Sequence, residues 1–398
     1  MNDTDAISYH LIDSDAALAD FVPILRRAGR IAVDLEADSM YHFREKVCLI
    51  QIGANGTNAV IDPLNITDIE SLRPIFADPA VEKIFHGADY DIRSLYRDFG
   101  IEIDNLFDTQ IACRFLGMRE TGLDAAVSGL FGVSLDKKFQ KKDWSRRPLP
   151  PEMIDYAAHD VIHLVSLADR LKADLEAKGR LDWVAEECRI LSRVRYPADE
   201  HEPLYLRFKG AGRLDPRSLA VLEAVLQCRR VAAERKDRPL FKVFGNDAIQ
   251  QVVKTRPTSL NRLAASGALS QKQIRMYGEE IVSAVQAALD LSEDDLPVYP
   301  RRRSSATTPR APERVRLLKR WRDETADRLD LDPAVVLTKS LIQAIAVQNP
   351  QDEDALSQVG EIRAWQVETF GAEILERLRS IEDKPKRRKK RRRRRRKK

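Results

Sequence analysis

Residues 30–39 read RIAVDLEADS, and this stretch decides how the N-terminal part of the chain is interpreted. The Ile-Ala-Val run at 31–33 is typical of the start of a buried strand. Side chains alternate along a strand, so Asp34 and Glu36 point the same way from its end. Two unpaired carboxylates in an apolar setting are costly, and a bound cation is the usual remedy. Solvated acids or a helix cap are the alternative for this pair taken alone.

The composition excludes several classes of protein. The chain has 398 residues, of which 43% are hydrophobic, and this supports two or three domains with their own cores. No stretch approaches the roughly 18 apolar residues of a membrane-spanning helix, and the acidic, polar N-terminus is not typical of a secretory signal. The four cysteines are widely spaced. Cys48 and Cys113 are expected to be buried thiols, which fits a reducing cytoplasm and argues against a zinc site.

Charge is distributed unevenly along the chain. The net charge is +5, yet residues 384–398 carry 14 Lys or Arg and no acid. Residues 1–195 have a net charge of −9, residues 210–292 of +5, and residues 293–383 of −4. The tail at 384–398 repels itself and has no core residues, so it is predicted to be disordered.

Short apolar runs alternate with helical patterns in residues 1–195. Strands are predicted over 30–36, 47–53, 58–62 and 81–86, with a further short strand leading into Phe107-Asp108-Thr109. Helices are predicted over 68–77, 89–98 and from about residue 110. This succession predicts an α/β domain with a mixed central sheet and flanking helices.

Strand patterns stop after about residue 195, where the α/β domain is expected to end. Residues 210–292 and 313–382 are predicted to form two all-α domains, separated by a linker at 297–312 that is rich in Pro, Arg, Ser and Thr. Each module has a long basic helix, a Pro, an apolar helix, another Pro and a final amphipathic helix. The shared plan indicates an internal duplication.

Two further acidic segments complement the first pair. The segment HGADYDIRSL at 86–95 places Asp91 in the first turn of a predicted helix, where the helix dipole favours negative charge. In DYAAHDVIHL at 155–164, Tyr156 and Asp160 stand four residues apart and share one helix face. Each segment has a simpler explanation, a capping acid in the first and a solvated face in the second. The histidines of both segments are expected to be ordinary hydrogen-bonded side chains.

Together the three segments resemble the signature of the DEDD exonuclease superfamily, in its tyrosine-containing (DEDDy) version. That signature has Asp-x-Glu on a strand, an Asp between strand and helix, and Tyr-x-x-x-Asp on a late helix. Its five positions are occupied, in order, by Asp34, Glu36, Asp91, Tyr156 and Asp160. The segments 49–53, 107–110 and 140–149 are also similar to this superfamily. Within it the chain most resembles the ribonuclease D family, and the modules at 210–292 and 313–382 resemble HRDC domains, the second less clearly.

The resemblance implies a fold and a chemistry. The exonuclease domain would be ribonuclease H-like and would be followed by two HRDC bundles. Two Mg²⁺ or Mn²⁺ ions would be held by Asp34, Glu36, Asp91 and Asp160, because hard cations prefer oxygen ligands. Two metal ions about 3.5–4 Å apart suit phosphodiester hydrolysis. Tyr156 would orient the attacking water. A phenol with a pKa of about 10 is a poor base at neutral pH, so the metal is expected to do most of the deprotonation.

A basic segment precedes the third motif. Residues 137–147 contain six basic and two aromatic side chains in an otherwise acidic domain. Cations neutralise phosphates and aromatic rings stack on unpaired bases. Nucleic-acid contacts are therefore predicted for Lys137, Lys138, Lys141, Lys142, Trp144, Arg146 and Arg147. A solvated loop is the alternative, and for Trp144 a packing role that fixes the loop.

The resemblance implies a metal-dependent 3′→5′ exoribonuclease that trims structured RNAs such as tRNA precursors and releases nucleoside 5′-monophosphates. A Werner-type DNA exonuclease and a non-catalytic RNA- or ribosome-binding protein are the alternatives. RNA is the expected partner, and the ribosome or RNA-processing factors are candidate protein partners. No membrane association is expected, and the expected location is the cytoplasm. The basic tail is expected to raise non-specific RNA affinity, with nuclear localisation as the other interpretation.

Overall fold

The computed structural model describes residues 8–197, 202–300 and 310–381. The predicted basic tail at 384–398 lies outside the described residues. The strands are Tyr9–Ile12 (β1), Arg30–Ala37 (β2), Val47–Ala54 (β3), Thr57–Ile61 (β4), Glu82–Phe85 (β5) and Leu106–Asp108 (β6). They form one sheet in the order β1-β4-β3-β2-β5-β6.

The sheet is mixed, as predicted. Strands β1 and β4, β2 and β5, and β5 and β6 pair in parallel, whereas β2 with β3 and β3 with β4 are antiparallel. All eight residues of β3 are buried, which explains its nearly continuous apolar sequence. Strand β1 was not predicted; it has only four residues, and two of them, His10 and Leu11, are exposed.

Helices follow the strands through the N-terminal region. They are Asp15–Arg26 (α1), Arg73–Ala77 (α2), Asp89–Phe99 (α3), Thr109–Phe115 (α4), Leu123–Phe131 (α5), Pro151–His159 (α6), Leu164–Ala177 (α7) and Leu181–Leu191 (α8). Helix α3 ends at Gly100, whose φ of 62° is the left-handed conformation that favours glycine at a helix end. Pro151 opens α6, where its missing N–H costs no helical hydrogen bond.

The C-terminal part of the chain is helical. Its first bundle comprises Pro216–Arg235 (α9), Leu240–Val243 (α10), Asn246–Thr255 (α11), Leu260–Ala265 (α12) and Gln271–Leu289 (α13). The second comprises Ala311–Leu329 (α14), Pro333–Val336 (α15), Lys339–Gln348 (α16), Glu353–Ser357 (α17) and Ala364–Arg379 (α18). None of the helices in the described ranges is long and apolar enough to cross a membrane.

The two bundles repeat the same internal hydrogen bonds. In each bundle, an arginine of the long first helix donates to the backbone carbonyl of the residue that directly follows the short second helix. A glutamine in the first turn of the last helix donates to the carbonyl of the last residue of that short helix. The pairs are Arg229–Phe244 and Gln273–Val243 in the first bundle, and Arg322–Leu337 and Gln366–Val336 in the second. Each member of the second set lies 93 residues after its counterpart. This constant offset supports the predicted duplication.

The described residues divide into two compact units. One takes those within Met1–Ala112, Glu120–Ala173 and Glu187–Arg302, and the other those within Cys113–Arg119, Asp174–Glu186 and Arg303–Lys398. The first unit holds the sheet and the first bundle. In the second unit the rings of Trp183 and Trp365 stack with their centroids 4.6 Å apart. The boundaries of these units differ from those of the predicted domains 1–195, 210–292 and 313–382. The domain boundaries therefore stay a prediction.

Candidate active site

Segments that are distant in sequence meet at a cavity of about 430 Å³ in the first unit. Asp34, Glu36, Tyr156 and Asp160 line it. Asp91 does not line the cavity, but its carboxylate interacts electrostatically with those of Asp34 and Glu36. The structure thus brings together all five residues of the signature.

Strand β2 places the first two carboxylates. Asp34 faces Gln51 across the antiparallel pair with β3, while the pairing of β2 with parallel β5 ends at Ala32. The end of β2 therefore extends beyond its parallel neighbour, at the strand ends where α/β sheets commonly place ligand sites. A register shift after Glu36 interrupts the ladder with β3, and such irregularities often occur next to functional sites.

The position of the third carboxylate, Asp91, depends on Asp108, a residue to which the sequence alone assigned no role. Asp91 lies in the first turn of α3 and is 8% exposed. The turn before α3 is held by Asp108, whose two carboxylate oxygens accept hydrogen bonds from the backbone N–H groups of Gly87 at 3.1 Å and Ala88 at 2.7 Å. Asp108 is fully buried and also accepts from Gln110 N at 2.8 Å, which caps α4. An Asp where a strand passes directly into a helix was the available signal.

Helix α6 contributes the tyrosine, and its end contributes the last carboxylate. Tyr156 is 8% exposed, and its ring packs against Phe139 and Trp144, with centroids 5.6 Å and 6.2 Å away. The helix ends at His159, so Asp160 is its C-terminal cap rather than a helical residue. A carboxylate at the negative end of the helix dipole is unfavourable without a cation nearby.

Burial and mutual repulsion raise the pKa values of the four carboxyl groups. Burial raises the pKa of Asp34 to about 6. Burial, followed by the charges of Asp34, Asp160 and Asp91, raises the pKa of Glu36 to about 10. Burial and then Asp34 raise the pKa of Asp160 to about 8, and the same two causes hold the pKa of Asp91 well above its usual range. The cluster therefore favours a positive charge in its midst, whether protons or cations.

The donor set suits hard divalent cations. It consists of carboxylate oxygens, which Mg²⁺ and Mn²⁺ prefer, and it offers no thiolate. In the described part of the chain, no three His, Cys, Asp or Glu side chains already stand close enough to enclose an ion. Gln51, opposite Asp34, is fully buried, and neither polar atom of its amide has a hydrogen-bond partner within the described residues. This orphaned amide indicates that the site accommodates further polar species.

Two residues of the basic segment, Lys137 and Gln140, line the cavity. Lys137 and Asp124 both line the cavity, and their side chains form an ion pair of 2.6 Å. Lys138 pairs with Asp136 at 3.5 Å, and Arg146 with Asp143 at 3.1 Å. The predicted contact residues with exposed side chains are Lys137, Lys138, Lys141, Lys142 and Arg146.

Trp144 and Arg147 occupy positions that do not favour nucleic-acid contact. Trp144 is 1% exposed, and its ring packs within the domain against Tyr156. Arg147 donates to both carboxylate oxygens of Asp62, at 2.6 Å and 2.7 Å, and to the carbonyl of Cys48 at 2.9 Å. Both side chains anchor the segment, which is the packing role left open for Trp144.

The two histidines make local contacts. Nδ1 of His86 lies 2.9 Å from the hydroxyl of Thr109, which itself donates to the carbonyl of Phe85. Burial lowers the pKa of His86, so its imidazole is neutral at pH 7. His159 is exposed, and its Nδ1 contacts the carbonyl of Asp155. His86 also lines the cavity.

Comparisons with known proteins identify relatives over most of the chain. Residues 9–176 match the 3′-5′ exonuclease family, and residues 218–285 and 311–378 each match the HRDC domain. Ribonuclease D of Granulibacter bethesdensis is 30% identical over 368 residues, covering 92% of this chain and 91% of that protein. Ribonuclease D of Escherichia coli is 32% identical over 292 residues, covering 73% of this chain and 78% of that protein.

Solved structures give the same result. The crystal structure of Escherichia coli RNase D has a TM-score of 0.74 and 28% identity, covering 94% of this chain and 99% of that one. The catalytic core of RRP6 from Trypanosoma brucei has a TM-score of 0.60 and 31% identity, covering 73% of this chain and 81% of that one. The predicted fold class and the duplicated HRDC modules are confirmed. With a 3′-5′ exonuclease domain followed by two HRDC domains, the chain belongs to the ribonuclease D family of 3′-5′ exoribonucleases.

Proposed function

We propose that this chain uses divalent metal ions to trim the 3′ ends of structured RNAs, such as tRNA precursors, and releases nucleoside 5′-monophosphates. The observation that carries the proposal is the convergence of three carboxylates and one phenol on a single cavity, with Asp91 close enough to interact electrostatically with Asp34 and Glu36. The structure of the Escherichia coli relative is described as that of an exoribonuclease involved in structured RNA processing. This description supports the choice of substrate class.

The carboxylates Asp34, Glu36, Asp91 and Asp160 would hold two Mg²⁺ or Mn²⁺ ions. Bound there, the ions would activate water and stabilise charge on the leaving 3′-oxygen. The protein's own contribution is to hold the four acids together despite their repulsion. β2 fixes two of them, and Asp108 fixes the turn that leads to Asp91.

Tyr156 is suited to orientation rather than to proton abstraction. Burial, followed by the charges of Asp160 and Glu36, raises the pKa of its phenol, so the hydroxyl stays protonated at neutral pH. It can therefore donate a hydrogen bond to a water or phosphate oxygen in the cavity. The rings of Phe139 and Trp144 pack against the phenol and fix its direction.

The rim of the cavity limits what can enter. Its volume of about 430 Å³ is in the range of pockets that hold one small ligand, which supports removal of one terminal nucleotide at a time. Lys137 lies at the wall and is held by Asp124 at 2.6 Å. A phosphate that enters can compete with Asp124 for this ammonium group, so Lys137 can neutralise negative charge of the substrate at the rim.

The test compares substrates and metals on the full chain. A tRNA with a 3′ extension, single-stranded RNA and single-stranded DNA are incubated with Mg²⁺, Mn²⁺ or EDTA, and the products are identified by mass. We expect 5′-monophosphates from the RNAs only when a metal is present. Faster hydrolysis of DNA than of either RNA, or turnover in EDTA, would contradict the proposal.

Two variants sharpen this test. Asp34→Asn should abolish hydrolysis and weaken Mn²⁺ binding, measured by calorimetry, because it removes one anionic ligand. Asp20→Asn, at an exposed acid of α1, is the matched control and should retain both properties. Undiminished cleavage by Asp34→Asn would show that Asp34 is not a required metal ligand.

A further inference from the structure

Exposed aromatic and basic side chains meet where the loop after β2 contacts the first helical bundle. The ammonium group of Lys242, on α10, lies 4.1 Å from the ring centroid of Tyr41. The hydroxyl of Tyr41 donates to the carbonyl of Lys141 at 2.7 Å. Phe241 precedes Lys242 in the chain and is 57% exposed, so its ring is open to solvent. Tyr41, Lys141, Lys242 and Phe241 are named here the junction path.

The junction path begins at the active site. Lys141 directly follows Gln140, which lines the carboxylate cavity. The contacts then run from Lys141 to Tyr41 and from Tyr41 to Lys242. A polymer that leaves the cavity over Gln140 therefore meets a backbone-anchored tyrosine, two ammonium groups and an exposed ring in succession.

The junction path is positively charged, and its ammonium groups are accessible to an anionic ligand. Lys141 and Lys242 of the path, and the neighbouring Lys142, are exposed, and none of them forms an ion pair with any residue of 8–197, 202–300 or 310–381. The acids at the same junction are engaged. Asp237 accepts from His42 and from the backbone of Phe43, and Glu234 pairs with Arg44 at 2.6 Å. The path can therefore receive anions that the acidic cavity repels.

We propose that the junction path binds the single-stranded nucleotides that precede the 3′ end of the RNA. This rests on the proposed function, since it assumes that the 3′ end occupies the carboxylate cavity. Lys141 and Lys242 contact phosphates, and Phe241 stacks on a base. Stacking on an exposed ring beside cations is how proteins hold single strands without reading their sequence. The path joins the exonuclease fold to the first bundle, so the substrate site is composite.

The test measures RNA binding by the full chain, in EDTA to prevent turnover. Phe241→Ala should weaken the binding of single-stranded RNA of about 20 nucleotides by roughly five- to tenfold, because one stacked base is lost. Lys242→Ala should lower the slope of log affinity against log salt by about 1, as expected for one lost phosphate contact. For both variants the loss should grow with RNA length from a dinucleotide upward.

Matched controls are available in the same unit. Val298 is 73% exposed, and Lys254 is an exposed cation on α11. Val298→Ala and Lys254→Ala should bind the RNA of about 20 nucleotides and the dinucleotide as tightly as the wild type does. If Phe241→Ala and Lys242→Ala also bind as the wild type does, while the wild type hydrolyses RNA, the junction path is refuted and the proposed function stands. If the wild type fails to hydrolyse RNA but these two variants lose RNA binding with the predicted length dependence, the function fails and the path stands.

Discussion

The Nδ1 atom of His42 lies 2.7 Å from a carboxylate oxygen of Asp237, and the second carboxylate oxygen accepts the backbone N–H of Phe43 at 3.0 Å. On its other side, Nε2 of His42 lies 3.0 Å from the hydroxyl of Ser145. One imidazole therefore connects the first helical bundle, the loop after β2 and the basic segment. These contacts lower the pKa of Asp237, with the His42 hydrogen bond as the largest cause.

We expect this junction to contribute measurably to the stability of the first unit. Asp237→Asn keeps the side-chain size and tolerates the positive φ of 43° at this position, but it removes the charge. A double-mutant cycle with His42→Gln, followed by urea unfolding at pH 7, should give a coupling energy of about 1 kcal/mol. The same cycle with Asp247→Asn, an exposed acid of α11, should give none. Equal coupling in both cycles would show that the contact contributes nothing specific.

The turn held by Asp108 leads to a second prediction. Asp108→Asn places an amide donor against the N–H groups of Gly87 or Ala88, so a buried donor loses its acceptor at a cost of about 1–3 kcal/mol. We expect kcat to fall at least tenfold because Asp91 is displaced. Faster amide hydrogen exchange in residues 86–91 should accompany the loss. The exposed Asp104→Asn is the control, and full activity of Asp108→Asn would show that the turn does not position Asp91.

Gln51 leads to a prediction in which stability and activity diverge. Its buried amide has no hydrogen-bond partner within the described residues. Gln51→Leu or Gln51→Met therefore replaces an unsatisfied polar side chain with an apolar one of similar size. The free energy of unfolding without metal should rise by about 1–3 kcal/mol, while hydrolysis and Mn²⁺ affinity should fall because a polar neighbour of Asp34 is lost. A fall in stability for both variants would mean that the amide has a stabilising role in the metal-free protein.

Replacement of Tyr156 by Phe isolates its hydroxyl group. The packing of the ring against Phe139 and Trp144 is retained, so the variant should fold and bind RNA normally. Turnover should fall by about tenfold to a hundredfold, with KM changed less than threefold, because the oriented hydrogen bond to water is lost. A rise in KM with kcat unchanged would instead assign the hydroxyl to ground-state binding.

The convergence of the five signature residues was easier to predict than the structure around them. Strand alternation alone placed Asp34 and Glu36 on one face, and the resemblance to the DEDD signature supplied Asp91, Tyr156 and Asp160 as their partners. The meeting of β2 with α3 and α6 depends on tertiary pairing, which no local pattern contains. Trp144 shows the same limit, because a tryptophan among lysines has the same sequence signature whether it stacks on bases or is buried.

The helical modules show a related limit. Arg229 belongs to the long basic helix predicted for the first module, but its guanidinium is buried and donates to the carbonyl of Phe244 and to the side-chain oxygen of Asn246. Arg235 pairs with Glu280 at 2.9 Å. Helical periodicity assigns a face to each residue, but it does not identify which long cationic side chains turn inward to satisfy carbonyl groups.

Lys83 gives the last prediction, in which stability depends on pH. Its side chain is fully buried on β5, and its ammonium group donates to the carbonyls of Asp78 at 2.7 Å and Val81 at 2.6 Å. Burial lowers the pKa of Lys83 from 10.5 to about 8. The charged form is therefore less favourable in the folded than in the unfolded chain, and this penalty is fully present below pH 8.

The unfolded chain binds more protons than the folded one between pH 8 and 10.5, so the contribution of Lys83 to stability must rise with pH across this interval. The shift corresponds to about 3 kcal/mol. Urea unfolding of the wild type and of Lys83→Met, measured in parallel from about pH 7 upward, should show the wild type gaining up to this amount relative to the variant. A difference that stays constant with pH would show that the folded pKa is not lowered. A difference that changes in the opposite direction would mean that the two carbonyls stabilise the ammonium group more than burial destabilises it.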